Sequence, residues 1–319
     1  MYRTHKIIIM EKTNQVLVTI KCITYNQARY IRQALDGFLM QKTNFRYEII
    51  IHDDASNDGT TEIVKEYEMK YPQYIKPIYQ TENQYSKKGF QHITRLILKE
   101  AKGKYLAQCE GDDYWTDPNK LQKQVDFLEN HPDYSMCFHQ GKIHYENKKR
   151  PDEIATLGLE SREYTGLELY RTFRPITCSV VMRMEILRSN LYEKYLNSNI
   201  PFGDLPAFLS CAHYGKIWGM TDVMAVYRKH DGGATSVLEK PDERMLSFFA
   251  NGHLQIYKIF GNKYKEQATK IYVMEYINFI QMSYQAGKKR IDLLVKMLLT
   301  HPIYTLQFLY KRILISMKS

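Results

Sequence analysis

Several patterns that identify other classes of protein are absent from this 319-residue sequence. Its five cysteines form no CxxC pair and no closely spaced framework, which argues against a zinc site or disulfide scaffold and suits a reducing cytoplasm. No apolar run approaches the roughly 20 residues of a membrane-spanning helix. Charged residues directly follow the short apolar run Ile7–Met10, unlike the pattern of a secretion signal. We therefore expect a cytoplasmic chain that is soluble or peripherally attached to the inner face of the cell membrane.

Phosphate-binding and nucleic-acid-binding motifs are also missing. Neither GxGxxG nor GxxxxGKS/T occurs, so the sequence carries neither the dinucleotide fingerprint nor the P-loop. It has no zinc-finger spacing, basic-aromatic RNA-binding motif or clear helix-turn-helix pattern, which argues against a nucleic-acid partner. Any bound phosphate must therefore be held in another way, most simply by a metal ion.

The formal charge of +10 is concentrated near the C-terminus, where residues 241–319 contain 12 Lys and Arg against 5 Asp and Glu. Apolar residues recur there at helical spacing among the basic ones. They are Ile291, Leu294, Leu298, Leu306, Leu309, Tyr310, Ile313 and Leu314. Basic amphipathic helices can lie on an anionic membrane, and a packed helical cap or dimer contact explains the same stripe. Both interpretations stay open at this stage.

Short β-branched segments alternate with amphipathic ones along the first third of the chain. The pattern predicts strands over 16–23, 47–51, 75–79 and 104–109, and helices over 26–41, 60–71 and 90–101, with Ser56 or Asn57 capping the second helix. Further on it predicts helices over 120–130 and 204–214 and strands over 176–182 and 216–227. Such alternation indicates an α/β fold with a mainly parallel sheet flanked by helices. Residues 241–319 look largely helical.

Polar turns follow three of the predicted strands, at residues 24–26, 52–59 and 110–115. In parallel α/β sheets ligands bind beyond the carboxyl ends of the strands, so these turns are expected to form a site. Glu110, Asp112 and Asp113 place hard oxygen ligands in the third turn, as Mg²⁺ or Mn²⁺ needs when it also binds substrate phosphates. The alternative is a solvated acidic turn or helix cap.

Three motifs occur together in a specific order: VTIKCITYN at 18–26, YEIIIHDDASNDGT at 47–60, and the segment from Gly103 to Asp112-Asp113. This arrangement resembles the large inverting family 2 of nucleotide-sugar glycosyltransferases, whose members have the GT-A fold. The resemblance covers about residues 14–235 and leaves 236–319 as a helical C-terminal extension. It is similar to the bacterial members that assemble capsule, lipopolysaccharide and other surface polysaccharides.

The resemblance implies roles for individual residues. It implies donor binding by Thr24, Tyr25, Asp53, Asp54, Asp112 and Arg228, and metal binding by Asp112, Asp113 and His230. Asp54, with Asp53 beside it, matches the acidic residue that hydrogen-bonds uracil, although local turn bonds offer an alternative for both. Glu110 stands where the family's DxD motif has its first Asp, which leaves open which carboxylate contacts the ion.

A later acidic residue, Asp204 after Gly203, resembles the family's catalytic base at a helix start, where a carboxylate takes the proton of the attacking hydroxyl. An N-cap role is the alternative. Glu185 and Asp222 are rival bases without a motif. The segment around Arg228 and His230, continuing to Thr235 and Ser236, resembles the basic segment that closes over the donor diphosphate.

The sequence thus predicts an inverting, Mn²⁺- or Mg²⁺-dependent transfer from a nucleotide sugar to a hydroxyl of a glycan or lipid-linked acceptor. A uridine diphosphate sugar is the expected donor. Two rivals remain: a sugar nucleotidyltransferase, whose glycine-rich phosphate loop is missing, and a non-catalytic nucleotide-sugar-binding scaffold. The sequence specifies neither the sugar nor the acceptor.

Overall fold

A computed structural model describes residues 15–148, 150–172, 175–233 and 242–316, with side chains up to residue 310. The strands are β1 (Val16–Thr24), β2 (Arg46–Asp53), β3 (Ile75–Tyr79), β4 (Tyr105–Gln108), β5 (Tyr114–Trp115), β6 (Tyr134–Tyr145), β7 (Glu153–Ile154), β8 (Glu163–Tyr164), β9 (Val181–Arg183) and β10 (Lys216–Lys229). The helices are α1 (Ile31–Leu39), α2 (Thr60–Lys70), α3 (Gln84–Glu100), α4 (Lys120–Asn130), α5 (Gly166–Arg171), α6 (Met184–Leu187), α7 (Asn190–Leu196), α8 (Asp204–Tyr214), α9 (Glu243–Phe260), α10 (Lys265–Gln285), α11 (Ile291–Thr300) and α12 (Pro302–Ser316).

A central sheet runs in the order β3-β2-β1-β4-β9-β6-β10-β5. Strands β1 to β4 pair in parallel, and so do β6 and β10, while β9 lies antiparallel between the two sets. Helices cover both faces because the central strands are buried on both sides, as their near-continuous β-branched sequences require. The predicted α/β fold is confirmed.

The predicted elements are mostly correct, with four local corrections. Helix α1 begins at residue 31 instead of 26, because the chain first makes a turn through residues 26–30. The predicted strand over 176–182 is a 3₁₀ turn followed by the short β9. The cap assigned to Ser56 or Asn57 was wrong, since left-handed Gly59 (φ 100°) is the N-cap of α2. The 12-residue β6 was not predicted.

The start of the C-terminal extension packs into the core of the preceding domain. Ile256, Phe260 and Ala268 of α9 and α10 belong to the same buried cluster as α8. Gly252 of α9 lies so close to Pro201 that a Cβ would approach its Cδ to 2.5 Å. Helices α9 and α10 are thus joined to the domain that carries the predicted site, while the predicted boundary at 235/236 falls outside the described residues.

Helices α11 and α12 have one packed face and one exposed face. Leu293, Met297 and Thr305 face inward. The side chains of Leu293 and Met297 join a buried cluster with residues of α9 and α10. The exposed face consists of Ile291, Val295, Leu299, Ile303, Leu306 and Tyr310. Of the predicted stripe, Ile291, Leu306 and Tyr310 are exposed, Leu294 and Leu309 pack against this cluster, Leu298 is half-buried, and the side chains of Ile313 and Leu314 lie outside the described residues. A helical cap therefore accounts for part of the stripe. Among the residues described here, no helix is long and apolar enough to cross a membrane.

Candidate active site

The turns after β1 and β2 interlock at the carboxyl edge of the sheet. Asn26 (φ 53°) accepts a hydrogen bond from the Asn57 amide at 2.9 Å through its side chain. Its own backbone N–H donates to Ser56 Oγ at 2.9 Å. Thr24 at the end of β1 is buried, whereas the neighbouring Tyr25 is 46% exposed. The first two turns are therefore fixed to each other, and Tyr25 lies on their accessible side.

The turn after β4 packs directly against the end of β1. The Gly111 amide donates to the Ile23 carbonyl at 3.0 Å. A Cβ at Gly111 would lie 2.8 Å from Thr24 Oγ1 and 2.5 Å from Gln27 Oε1, so this turn requires glycine. As predicted from parallel strands, the third polar turn lies beside the first.

Asp112 and His230 meet at this edge although they are 118 residues apart. Asp112 Oδ2 lies 3.0 Å from His230 Nε2, and both side chains are largely buried. The His230 ring also packs against Tyr30, with 4.6 Å between ring centroids. The structure thus brings together two of the three predicted metal ligands.

The third predicted ligand, Asp113, points into the protein. It is 2% exposed, and its Oδ1 accepts the backbone N–H of Arg228 at 2.8 Å. Desolvation raises the pKa of Asp113 well above its ordinary value, and the nearby Cys178 and Asp112 raise it further. The geometry therefore favours Asp112 over Asp113 as an ion ligand, and metal binding by Asp113 stays a prediction.

The Arg228 side chain is enclosed by protein. Its guanidinium donates to the Asp112 carbonyl at 2.8 Å and to Gln33 Oε1 at 2.6 Å, and it forms an ion pair with Glu146. The Tyr30 ring lies 4.7 Å from it. Sequence reasoning assigned no role to Glu146, which lies just after β6, because no motif includes it.

Asp53 and Asp54 of the second turn are buried and accept local hydrogen bonds. Asp53 accepts the amide of Ser56 at 3.2 Å and the hydroxyl of Thr61. Asp54 accepts the amides of Gln84 and Tyr85 at 2.7 and 2.9 Å, at the start of α3. Each carboxylate retains lone pairs that can accept a further hydrogen bond. Uracil recognition by Asp54 is therefore compatible with these contacts and stays a prediction.

Asp204 begins α8, and Gly203 is the N-cap residue, so Asp204 itself is not the cap. Gly203 packs so tightly against Phe90 of α3 that a Cβ would come within 1.9 Å of the ring. Among the described residues, the carboxylate accepts a hydrogen bond from the adjacent Leu205 amide alone, at 2.8 Å. Asp204 is half-buried and thus keeps acceptor capacity for another group.

Lys21 of β1 lies near Asp204 and near Glu110, which belongs to the acidic turn, since the charges of both carboxylates act on its ammonium. The Lys21 ammonium is buried 4.5 Å from the centre of the Phe90 ring, the same ring that contacts Gly203. Burial lowers the pKa of Lys21, while the charges of Glu110 and Asp204 raise it. Desolvation raises the pKa of Glu110. The charge of Lys21 lowers this pKa, whereas the charges of Asp112 and Asp204 raise it further. The sequence analysis did not single out Lys21. The feature that could have revealed it is the presence of a lysine within a largely apolar strand.

The rival bases lie elsewhere. Glu185 follows antiparallel β9 and lines a cavity of about 360 Å³ with Arg183 and Tyr214, at the opposite edge of the sheet. Asp222 is exposed and forms an ion pair with Lys123 at 2.7 Å. Neither carboxylate belongs to the edge that carries Asp112 and His230.

The donor set at this edge fits a divalent ion that also binds a ligand. Within the described ranges no group of three or more His, Cys, Asp and Glu side chains could hold a metal by itself. Asp112 Oδ2 and His230 Nε2, which lie 3.0 Å from each other, supply one oxygen and one nitrogen donor. Mg²⁺ and Mn²⁺ commonly use one or two protein ligands and complete their shell with phosphate oxygens and water.

Comparisons with known proteins agree with the predicted family and fold. The model of the family described as Glycosyl transferase family 2 matches residues 19–195. Uncharacterized protein Rv1520 of Mycobacterium tuberculosis is 41% identical over 220 residues, which are 68% of this chain and 60% of that relative. The matched part thus spans less than two thirds of the relative's length.

A second relative has a named activity. The UDP-Glc:alpha-D-GlcNAc-diphosphoundecaprenol beta-1,3-glucosyltransferase WfaP of Escherichia coli is 35% identical over 113 residues, covering 35% of this chain and 41% of that protein. Among solved structures, S. aureus TarS in complex with UDP-GlcNAc superimposes with a TM-score of 0.58 at 17% identity. The superposition covers 85% of this chain and 73% of TarS, and at this identity it establishes the fold alone.

Proposed function

Because the chain belongs to glycosyl transferase family 2, we propose that it catalyses inverting, metal-dependent transfer of a sugar from a nucleotide-sugar donor to an acceptor hydroxyl. The observation that carries this proposal is the contact between Asp112 and His230 at the carboxyl edge of β1, β2 and β4. Ligands of open α/β sheets bind at this edge. Donor binding by Thr24, Tyr25, Asp53 and Asp54 belongs to the same proposal.

Asp112 Oδ2 and His230 Nε2 would hold the ion, and when bound it supplies positive charge that stabilises the departing nucleoside diphosphate. The chain's own contribution is to fix these two donors. The Asp112 turn is tied to β1 through Gly111, and the His230 ring is packed on Tyr30. Both side chains are mostly withdrawn from solvent, which strengthens their interaction with a charged ligand.

Asp204 is the proposed general base. Its carboxylate takes the proton of the acceptor hydroxyl as the oxygen attacks the anomeric carbon, so the new bond forms on the face opposite the leaving group. The contact between Phe90 and Gly203 fixes the start of α8 and thus positions the carboxylate.

A uridine diphosphate sugar is the proposed donor, and a glycan or lipid-linked glycan of a surface polysaccharide is the proposed acceptor. WfaP, whose name states a UDP-glucose donor and a diphosphoundecaprenol-linked acceptor, supports both assignments. The UDP-GlcNAc bound to TarS supports a nucleotide-sugar donor on this fold.

Screening a panel of nucleotide sugars tests the reaction. We expect release of a nucleoside diphosphate from one donor with Mn²⁺ or Mg²⁺, and none after the metal is chelated. A sugar nucleotidyltransferase would release no nucleoside diphosphate from these donors and would form pyrophosphate only from a nucleoside triphosphate and a sugar 1-phosphate. A scaffold would bind a donor without releasing any product. Product formation that is equally fast with a chelator present would contradict metal dependence.

We also propose that the exposed face of α11 and α12 contacts an anionic membrane surface. Its six apolar residues, named above, are flanked by the exposed Lys288, Lys289 and Lys296. Apolar contact combined with basic charge matches the chemistry of an anionic lipid interface. Such a contact would bring the site close to a lipid-linked acceptor.

Replacing Leu299 and Leu306 together by Gln should reduce binding to phosphatidylglycerol vesicles by about tenfold or more, because each leucine loses its apolar transfer energy. Cosedimentation measures this loss. The matched control is Leu157→Gln, since Leu157 is 89% exposed elsewhere on the surface. If the double variant sediments like wild type, or if wild type does not bind the vesicles, the membrane contact is wrong and a copy of this chain becomes the alternative partner.

A further inference from the structure

The enclosed environment of Arg228 points to a role in positioning. We propose that Arg228, anchored by Glu146, is a positioning residue that holds the Asp112 turn in its metal-binding geometry and does not itself bind the donor diphosphate. This inference rests on the proposed metal site at Asp112 and His230.

The first argument concerns the contacts with the acidic turn. Arg228 Nε donates to the carbonyl of Asp112, and its backbone N–H donates to the carboxylate of Asp113, both at 2.8 Å. Two consecutive residues of the turn are thus tied to one residue of β10. With His230 two positions further on, the same strand end fixes both the backbone and the side chain of Asp112.

The second argument concerns the rest of the guanidinium. Its two terminal nitrogens contact Glu146 Oε1, just after β6, and Gln33 Oε1 of α1. The rings of Tyr30 and Tyr114 lie 4.7 and 5.0 Å from it. Only 7% of the side chain is exposed, so little of it is left for a phosphate.

The third argument concerns Glu146. Its side chain is 15% exposed and accepts Arg29 at 3.0 Å in addition to Arg228. Parallel pairing of β6 with β10 sets Arg228 opposite His144, which brings Glu146 to the same end of the strand pair. Arg29, in contrast, is 74% exposed and contacts the same carboxylate from the surface. The two arginines therefore offer an internal comparison: one is a buried anchor and the other a surface contact.

Glu146→Gln is the most informative variant, because the two roles of Arg228 predict opposite results. If Arg228 positions the turn, loss of its anchor should weaken Mn²⁺ binding in the presence of UDP by about 10–100-fold, as for other groups that orient metal ligands. Metal-free UDP binding should stay unchanged. If Arg228 instead contacts phosphate, neutralising Glu146 releases it, and metal-free UDP binding should strengthen.

The Mn²⁺ affinity is measured from the electron paramagnetic resonance signal of free Mn²⁺, and UDP affinity by calorimetry without metal. Arg228→Lys should weaken Mn²⁺ binding in the same way, since a lysine cannot reproduce the planar fork of contacts. If thermal melting shows that Glu146→Gln does not fold, Mn²⁺ binding by Arg228→Lys tests the positioning role instead. Arg29→Ala is the matched control and should bind Mn²⁺ like wild type.

Wild-type Mn²⁺ affinity in the folded Glu146→Gln or Arg228→Lys variant would overturn the positioning role while leaving the metal site intact. Stronger metal-free UDP binding in Glu146→Gln, or weaker metal-free binding in Arg228→Lys, would assign Arg228 to the phosphate. If wild-type protein binds no Mn²⁺ with UDP, the metal site itself fails, and the inference fails with it.

Discussion

Asp204→Asn is expected to lower kcat by about 10²–10⁴-fold, the usual contribution of a general base. The amide is nearly isosteric and can still accept the Leu205 N–H bond, but it cannot take a proton. Donor affinity should change little, because no hydrogen bond or ion pair joins Asp204 to Asp112 or His230 in the described part of the chain. Turnover with a working acceptor and calorimetric donor binding measure the two quantities.

Two other carboxylates provide matched controls for this substitution. Glu185→Gln and Asp222→Asn make the same chemical change at the opposite edge and on the surface, so both variants should turn over like wild type. Turnover of Asp204→Asn within a few-fold of wild type would exclude it as the base. If turnover falls strongly only in Glu185→Gln or only in Asp222→Asn, the residue replaced in that variant is the general base.

Removing either proposed metal ligand should have a comparably large effect on donor binding. For Asp112→Asn and His230→Gln we expect the affinity for the nucleotide sugar in Mn²⁺ to fall by about 10²-fold or more, because a metal contributes several kcal/mol. Without metal, the variants and wild type should bind equally weakly. Calorimetric titration of donor with and without Mn²⁺ gives both affinities.

Asp113→Asn decides between the two acidic residues of the turn. An amide oxygen at this position can still accept the Arg228 N–H bond, so the turn should keep its shape. We expect metal-dependent donor binding within a few-fold of wild type, because the Asp113 carboxylate is buried and its Oδ1 already accepts the Arg228 amide. If this variant loses as much affinity as Asp112→Asn, both aspartates bind the ion. Unchanged metal dependence in Asp112→Asn would reject the site.

The sequence predicted which polar turns lie together more reliably than which of their side chains meet. Parallel strands end at one edge, so the turns at Thr24, Asp54 and Asp112 had to be neighbours once the strand-helix alternation was recognised. Helix α8 and its first residue Asp204 were also predicted correctly. These features depend on local periodicity and on motifs within single turns.

The sequence could not predict the direction in which each side chain of a turn points. Asp112 and Asp113 are adjacent and chemically identical, yet one faces His230 and the other accepts a backbone amide inside the protein. Arg228 was expected at the diphosphate because its segment resembles the basic segment that closes over the donor in the family. Its enclosure by Gln33 and Glu146 depends on strands and helices distant in sequence.

The sequence by itself determined the family, the α/β alternation and the edge of the sheet that carries the polar turns, because these follow from residue patterns short enough to act locally. Only the tertiary structure decided the partners of Lys21, Glu146 and Arg228. Those partners come from the insertion of antiparallel β9 between β4 and β6 and from the register of β6 against β10. Long-range pairing sets which buried charges meet, and no local pattern encodes that pairing.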